Sequence, residues 1–259
     1  MRILLVCPIP IEYNACRAVF QLKDVSSRTG ARASRGSIEN TEIYAIESGP
    51  TKARASAETS AAIFQFDPDV VVDTGCCGGV ASGSIIGEIC IAQTCYEYDI
   101  SGSGFPRRMI PEMRLPSAFH YLQSKDADEL LRGAIESGRF DNYFVKLGIQ
   151  ASGEFIVQSE RIKKLLSSIF HATACNWETA GVFIATLKNS LPPLSIRVVS
   201  DLADSDALVT FKKNAKRRSL ELYQYIETLV RASWFEDFLD RWKLLNPYTI
   251  KQLPKTVLP

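Results

Sequence analysis

Apolar residues in this chain fall into short runs punctuated by Gly, Pro and Asp, and these runs alternate with stretches of helical composition. Arg2-Ile-Leu-Leu-Val-Cys7 is almost continuously apolar, the pattern of a strand buried on both faces, and Pro8 and Pro10 end it. Residues 41–48 alternate as a second strand and stop at Gly49-Pro50. The alanine-rich residues 52–64 then predict a helix. After the turn Asp67-Pro68-Asp69, residues 70–73 predict a strand that runs into a glycine-rich loop, Thr74-Gly-Cys-Cys-Gly-Gly79. Further strands are expected at 85–91, 143–150 and 195–199. Helices are expected at 126–137, where Asp126 and Glu129 stand at capping-box spacing, and at 160–168, 177–189 and 211–230.

Strands alternating with helices imply an α/β fold, a single domain whose central mixed β-sheet is flanked by helices. Residues 1–231 are expected to form it, with 232–259 a helical or extended tail. In open α/β sheets ligands bind beyond the carboxyl ends of strands. Three segments hold such positions, 8–12, 75–79 and 200–206, and they are expected to converge.

The 259 residues suffice for one such domain without disulfide or metal staples. A formal net charge of +1 gives no general reason to expect nucleic acid or an acidic membrane as partner. The seven cysteines are odd in number and show no CxxC spacing. No charged-then-apolar leader follows Met1 and no apolar run approaches the ~20 residues of a membrane span, so a cytoplasmic protein with reduced thiols is expected. The two histidines, His120 and His171, stand at no metal-ligand spacing, and no metal or cofactor is implied. Carboxylates are left as the leading candidates for chemistry.

Asp201 follows the apolar run Ile196-Arg-Val-Val-Ser200, where partial burial would raise its pKa and let it hold a proton near neutrality. Helix capping is the plainer role for its neighbours Asp204 and Asp206. Glu12 and Glu178 are candidate site carboxylates or, equally, first-turn helix residues favoured by the helix dipole. The glycines of 75–79 would let backbone approach a ligand, or serve only a tight turn. Cys76 and Cys77 fit small apolar filler in that loop better than redox chemistry.

Taken in order, these segments resemble the nucleoside phosphorylase/nucleosidase family, most of all its methylthioadenosine/S-adenosylhomocysteine nucleosidase branch. A glutamate near residue ten, here Glu12, follows the first strand. Ser48-Gly-Pro-Thr-Lys52 resembles Ser-Gly-Ile-Gly-Lys, Asp73-Thr-Gly-Cys-Cys-Gly-Gly79 resembles Asn-Thr-Gly-Ser-Ala-Gly-Gly, and Ile86-Gly-Glu-Ile-Cys90 resembles Val-Gly-Asp-Ile-Val. Ser152-Gly-Glu-Phe155, Asn176-Trp-Glu-Thr179 and Val199-Ser-Asp-Leu-Ala-Asp204 resemble Ser-Gly-Asp-x-Phe, Glu-Met-Glu-Ala and Ile-Ser-Asp-x-Ala-Asp. The likeness covers roughly residues 1–230.

The resemblance implies a nucleoside phosphorylase-like fold and cleavage of a purine–ribose bond through an oxocarbenium-like state. Asp201 would be the acid at the base's N7, with Ser200 positioning it. Glu178 would grip the ribose hydroxyls, and Glu12 would deprotonate the attacking water. Trp177 replaces the family's methionine against the ribose. Cys76, Cys77 and Gly78 would line the site, and Phe155, Ile156 or Val157 would pack on the base. Asn176 replaces the first glutamate of Glu-Met-Glu, Cys76 replaces a serine, and Phe155 falls one place early.

Phosphorylase relatives carry a phosphate-binding arginine where this chain has Asp73, which would repel phosphate, so water is the expected nucleophile. The expected partner is a small-molecule purine nucleoside, adenine-type with a modified 5' position such as methylthioadenosine or S-adenosylhomocysteine. A futalosine-like or lipid-linked nucleoside, phosphorolysis and non-catalytic nucleoside binding are the alternatives. A generic Rossmann dehydrogenase is disfavoured because no G-x-G-x-x-G follows the first strand. The family also implies a homodimer with the site near its interface. The basic segment with Arg107, Arg108 and Arg114 would contact an anionic 5'-substituent or be a solvated loop. The tail's stripe of Trp234, Phe235, Phe238, Leu239, Trp242 and Leu245 would pack on the domain or a partner subunit, or else face a membrane surface.

Overall fold

In a computed structural model of the chain, residues 1–99 and 143–245 are described. They form nine strands: β1 (Arg2–Cys7), β2 (Lys23–Val25), β3 (Ala33–Ile38), β4 (Thr41–Glu47), β5 (Val70–Gly79), β6 (Ile89–Glu97), β7 (Val145–Ser152), β8 (Ala174–Asn176) and β9 (Ser195–Asp201). Six helices accompany them: α1 (Pro10–Phe20), α2 (Lys52–Phe66), α3 (Glu160–Ile169), α4 (Thr179–Lys188), α5 (Ala207–Arg231) and α6 (Trp234–Leu245). The strands make one mixed sheet in the order β2-β3-β4-β1-β5-β8-β7-β6-β9, and β9 pairs again with β5. Half of the sheet therefore curls into a closed ring of five strands, β5, β8, β7, β6 and β9.

The near-continuous apolar run of β1 has a direct cause. Ile3, Leu5 and Cys7 point to one face, where α1, α5 and α6 bury them with Phe20, Tyr223, Ile226 and Phe235. Leu4 and Val6 point to the other, against Ala55, Ala62 and Ile63 of α2 and Val182 of α4. With helices on both faces, every position of the strand must be apolar.

The tail's stripe joins the first of these cores. Trp234, Phe235 and Phe238 are buried in it, Leu239 packs against it and Trp242 is buried too, so these side chains are not presented to a surface. Among the described residues no helix is long and apolar enough to cross a membrane.

Several expectations need correction. The glycine-rich tract 75–79 is the second half of β5, not a loop, because it has ladder partners on both edges. Cys76 and Cys77 pair with Val198 and Val199, and Gly78 and Gly79 with Cys175 and Ala174. The strand expected at 85–91 lies later, at Ile89–Glu97. Helix α4 starts two residues later than expected, and Phe66, Ile169 and Ala207 extend α2, α3 and α5 beyond their predicted bounds. Helix α1 and strands β2, β3 and β8 were missed altogether. The helix expected at 126–137 and the basic segment of Arg107, Arg108 and Arg114 lie outside the described residues.

Candidate active site

β1, β5 and β9 run parallel, so their carboxyl ends open on the same edge, as the three flagged segments require. A cavity of about 280 Å³ lies there. Its walls include Glu12, Cys76, Cys77, Gly78, Phe155, Ile156, Val157, Asn176, Trp177, Glu178, Ser200 and Asp201. The twelve candidate site residues thus line one cavity, whereas Asp204 and Asp206 do not.

Glu12 owes its position to the start of α1. Pro10 opens the helix, and Glu12 Oε2 accepts the Ile9 N–H at 3.2 Å, while Oε1 accepts the Cys76 N–H at 2.7 Å. The carboxylate is therefore both a helix-end partner and a wall of the cavity. Gly75 makes this possible: its φ is +126°, and a Cβ there would lie 2.7 Å from Glu12 Oε1. Burial pushes the Glu12 carboxyl up to about 7, with Arg197 and the Cys76 N–H pulling it down and Glu178 adding to the rise.

Glu178 stands at the start of α4, but Asn176 does the capping. Asn176 Oδ1 accepts the N–H groups of Glu178 and Thr179 at 3.0 and 2.9 Å, and its Nδ2 donates to Gln150 Oε1 at 3.1 Å. The Glu178 side chain is left free to face inward, with Oε2 3.2 Å from Arg197 Nη2. Burial raises its pKa, opposed by Arg197 and supplemented by Asp73.

Asp201 ends β9 and is 9% exposed. Ser200 Oγ lies 3.0 Å from its Oδ2, and Oδ1 accepts the Ala203 N–H at 3.0 Å. Burial again raises the pKa against these two hydrogen bonds. Asp206 takes the position before α5 but makes no side-chain cap. Asp204 Oδ1 accepts the Asp206 N–H at 3.0 Å.

Aromatic groups fix the opposite wall. Trp177 Nε1 donates to the Phe155 carbonyl at 3.2 Å and Tyr98 Oη to the same oxygen at 3.1 Å, while the Tyr98 ring meets Phe155 edge-on at 5.0 Å. Phe155 and Ile156 remain 41% and 39% exposed at the mouth, beside apolar Ile9, Pro50, Leu208 and Phe211. Cys76, Cys77 and Cys175 also line the cavity, each thiol pushed upward by burial, so all three stay protonated and poorly nucleophilic at neutral pH.

Arg197 is the largest omission of the sequence reading. It is 1% exposed, lines the cavity, and reaches Asp73 through Nε at 2.8 Å and Nη2 at 2.6 Å, while Nη1 donates to the Cys76 carbonyl at 2.9 Å. Burial works against its charge, yet Asp73, Glu178 and Glu12 hold its pKa well above the usual value. A lone arginine in the apolar run of β9 was a legible sign, since a buried charge needs a partner. Asp73 is corrected accordingly. It is fully buried behind the wall and engaged by Arg197, so it repels no anion in the cavity. Tyr98 was also missed, and nothing in its sequence context marks it.

The arrangement brings three buried carboxyl groups to one cavity, Asp201 and Glu12 at its walls and Glu178 between Arg197 and the cavity. Among the described residues no cluster of His, Cys, Asp or Glu could hold a metal ion.

Comparison with known proteins bears on the family and the fold. The sequence profile of the Phosphorylase superfamily matches residues 2–231. The 5'-methylthioadenosine/S-adenosylhomocysteine nucleosidase of Buchnera aphidicola subsp. Schizaphis graminum is 26% identical over 89% of this chain and 97% of its own. That of Staphylococcus aureus strain bovine RF122 / ET3-1 is 26% identical over 75% of this chain and 84% of its own. Two solved structures share the fold. Futalosine hydrolase of Helicobacter pylori strain 26695 superposes with a TM-score of 0.76 at 21% identity, covering 90% of this chain and 98% of that one. A mutant Helicobacter pylori nucleosidase with 5'-methylthioadenosine in its active site also gives 0.76, at 22% identity over 89% and 98%. With a profile match over most of its length and the fold to go with it, the chain belongs to the Phosphorylase superfamily.

Proposed function

We propose that the protein is a nucleosidase, hydrolysing the N-glycosidic bond of a purine nucleoside, adenine-type, with a modified 5' position such as methylthioadenosine or S-adenosylhomocysteine. The observation that carries this reading is the meeting of Glu12, Glu178 and Asp201 in one cavity, each with its carboxyl pKa raised by burial. Asp201 holds a proton for the leaving base, with Ser200 and the Ala203 N–H fixing its two oxygens. Glu178 binds the ribose hydroxyls through charge-assisted hydrogen bonds that strengthen as the sugar becomes cationic. Glu12, with a pKa near neutrality, takes the proton of the attacking water. Trp177 packs at the ribose, Phe155, Ile156 and Val157 at the base, and Cys76, Cys77, Gly78 and Asn176 complete the walls. The apolar mouth suits an apolar or thioether 5'-substituent.

Water is favoured over phosphate because Arg197 already donates three hydrogen bonds, two to Asp73 and one to the Cys76 carbonyl, and is ion-paired with Glu178 as well. The same reading takes residues 1–231 as the nucleoside-handling unit with the tail packed on it. It places the enzyme in the cytoplasm as a homodimer with the site near the interface, which sedimentation and cell fractionation would check.

The test is base release from methylthioadenosine, S-adenosylhomocysteine, deoxyadenosine and futalosine, with and without phosphate. Release independent of phosphate is expected, and Asp201→Asn should lower kcat by about 10²- to 10⁴-fold while the exposed control Asp240→Asn does not. Tight nucleoside binding without release from any of the panel would make the protein a binder instead.

A further inference from the structure

Glu12 and Glu178, two of the three carboxylates that face the cavity, share one cation, and that cation is gripped from behind. Asp73 is 0% exposed and does not line the cavity. Its Oδ2 accepts from Thr179 Oγ1 at 2.6 Å, Ser195 Oγ at 2.7 Å and Arg197 Nε at 2.8 Å, and its Oδ1 from Arg197 Nη2 at 2.6 Å. The same Nη2 stands 3.2 Å from Glu178 Oε2. Arg197 Nη1 donates to the carbonyl of Cys76, the residue whose N–H binds Glu12.

We infer that Asp73 is a positioning residue of the reaction: it fixes the plane of Arg197 and takes the larger share of its charge, so that Glu178 and Glu12 feel a cation they do not fully pair with. The inference rests on the nucleosidase reading for its link to turnover, and on these contacts for its geometry. Two carboxylates compete for one nitrogen, and the two-point fork to Asp73 at 2.6 and 2.8 Å outweighs the single contact at 3.2 Å. Were Asp73 uncharged, Arg197 would settle on Glu178 and withdraw its oxygens from the sugar hydroxyls. Glu12 would lie in a less compensated positive field and become a weaker base.

The charged and titratable groups around the two carboxylates are few. Glu12 faces Arg197 from β9, Glu178, Cys76 from β5 and Tyr223 from α5. Glu178 faces Arg197, Asp73, Glu12 and Tyr98. Arg197 is the one cation among them. Burial raises both carboxyls and Arg197 lowers both, while Asp73 raises Glu178.

Asp73→Asn tests the assignment, since it keeps the side-chain shape and one oxygen acceptor while removing the charge and the second acceptor that meets Arg197 in the wild type. Carboxyl ¹³C NMR on protein labelled at glutamate reads Glu12 and Glu178 directly, with resonances assigned by Glu12→Gln and Glu178→Gln. Both are expected to titrate at lower pH than in the wild type, by about one pH unit. The acid limb of kcat/KM for methylthioadenosine should move down by a similar amount, with KM raised. In Asp73→Asn combined with Arg197→Gln, which leaves no buried charge unpaired should the single variant fold poorly, the resonances should move above their wild-type positions. A fall in melting temperature with both titrations and the acid limb unmoved would reduce Asp73 to a structural residue and overturn the inference. A wild type that releases no base would refute the nucleosidase reading instead, and the NMR titrations would still decide the role of Asp73.

Discussion

Glu12 illustrates how a buried carboxyl at the candidate site enters the stability of the fold. Its carboxyl sits near 7 in the folded chain against 4.5 when exposed, chiefly through burial. Below pH 4.5 both states hold the proton. Between 4.5 and 7 only the folded state does, so stability falls as pH rises through that window and the loss is complete above it. The gap amounts to about 3 kcal/mol. Urea unfolding of wild type and Glu12→Gln at pH 5 and pH 8 would measure it: the difference between the two proteins should shift by about that amount in favour of the variant at pH 8. An unchanged difference would mean that Glu12 is not desolvated as described. Activity runs the other way. Glu12 must be ionised to act as a base, so kcat/KM should rise with pH through about 7.

Strand β5 and the turn into α4 carry the site at the scale of elements. Glycine ordinarily weakens strands, which is why the tract 75–79 reads as a loop. Here pairing with β9 up to Gly78, across an irregularity at Cys77/Gly78, and with β8 at Gly78 and Gly79 keeps it in the sheet, and the missing side chains are room for other groups: Glu12 against Gly75, Asp201 against Gly78, Ser84 against Gly79. Gly75→Ala should therefore displace Glu12 and impose an unfavourable φ, costing at least about 1–3 kcal/mol in denaturant midpoint and most of kcat. A variant with normal turnover would show that Glu12 can move aside. Asn176→Ala removes the acceptor for two N–H groups at the head of α4, an expected loss of about 1 kcal/mol by thermal unfolding, with KM raised because Glu178 loses its anchor. The helices were legible wherever an apolar stripe was long, as in α5. Helix α1 was not, since Pro8 and Pro10 read as a break although Pro10 in fact begins the helix. Strand β8 is three residues long and exists only because β5 and β7 flank it.

At the scale of the whole molecule, one core unites β1, β5, β6 and β9 with α1, α5 and α6. Phe235, fully buried at the centre of the α6 contact, is expected to cost about 3–5 kcal/mol when changed to Ala, read by urea unfolding, with nucleoside turnover at low temperature retained. A cost near zero would make α6 an appendage rather than part of the core. The fold class and the sheet edge beyond β1, β5 and β9 were legible in strand period and turn chemistry, whereas candidates such as Trp177, Asn176 and Phe155 rested on the family resemblance in motif order. What only the tertiary structure decided is electrostatic. Asp73 and Arg197 stand 124 positions apart, and neither their pairing nor the rise of the Glu12 carboxyl to about 7 follows from any local rule. Both depend on which groups share a space sealed from water, where a charge is worth several times more than at the surface.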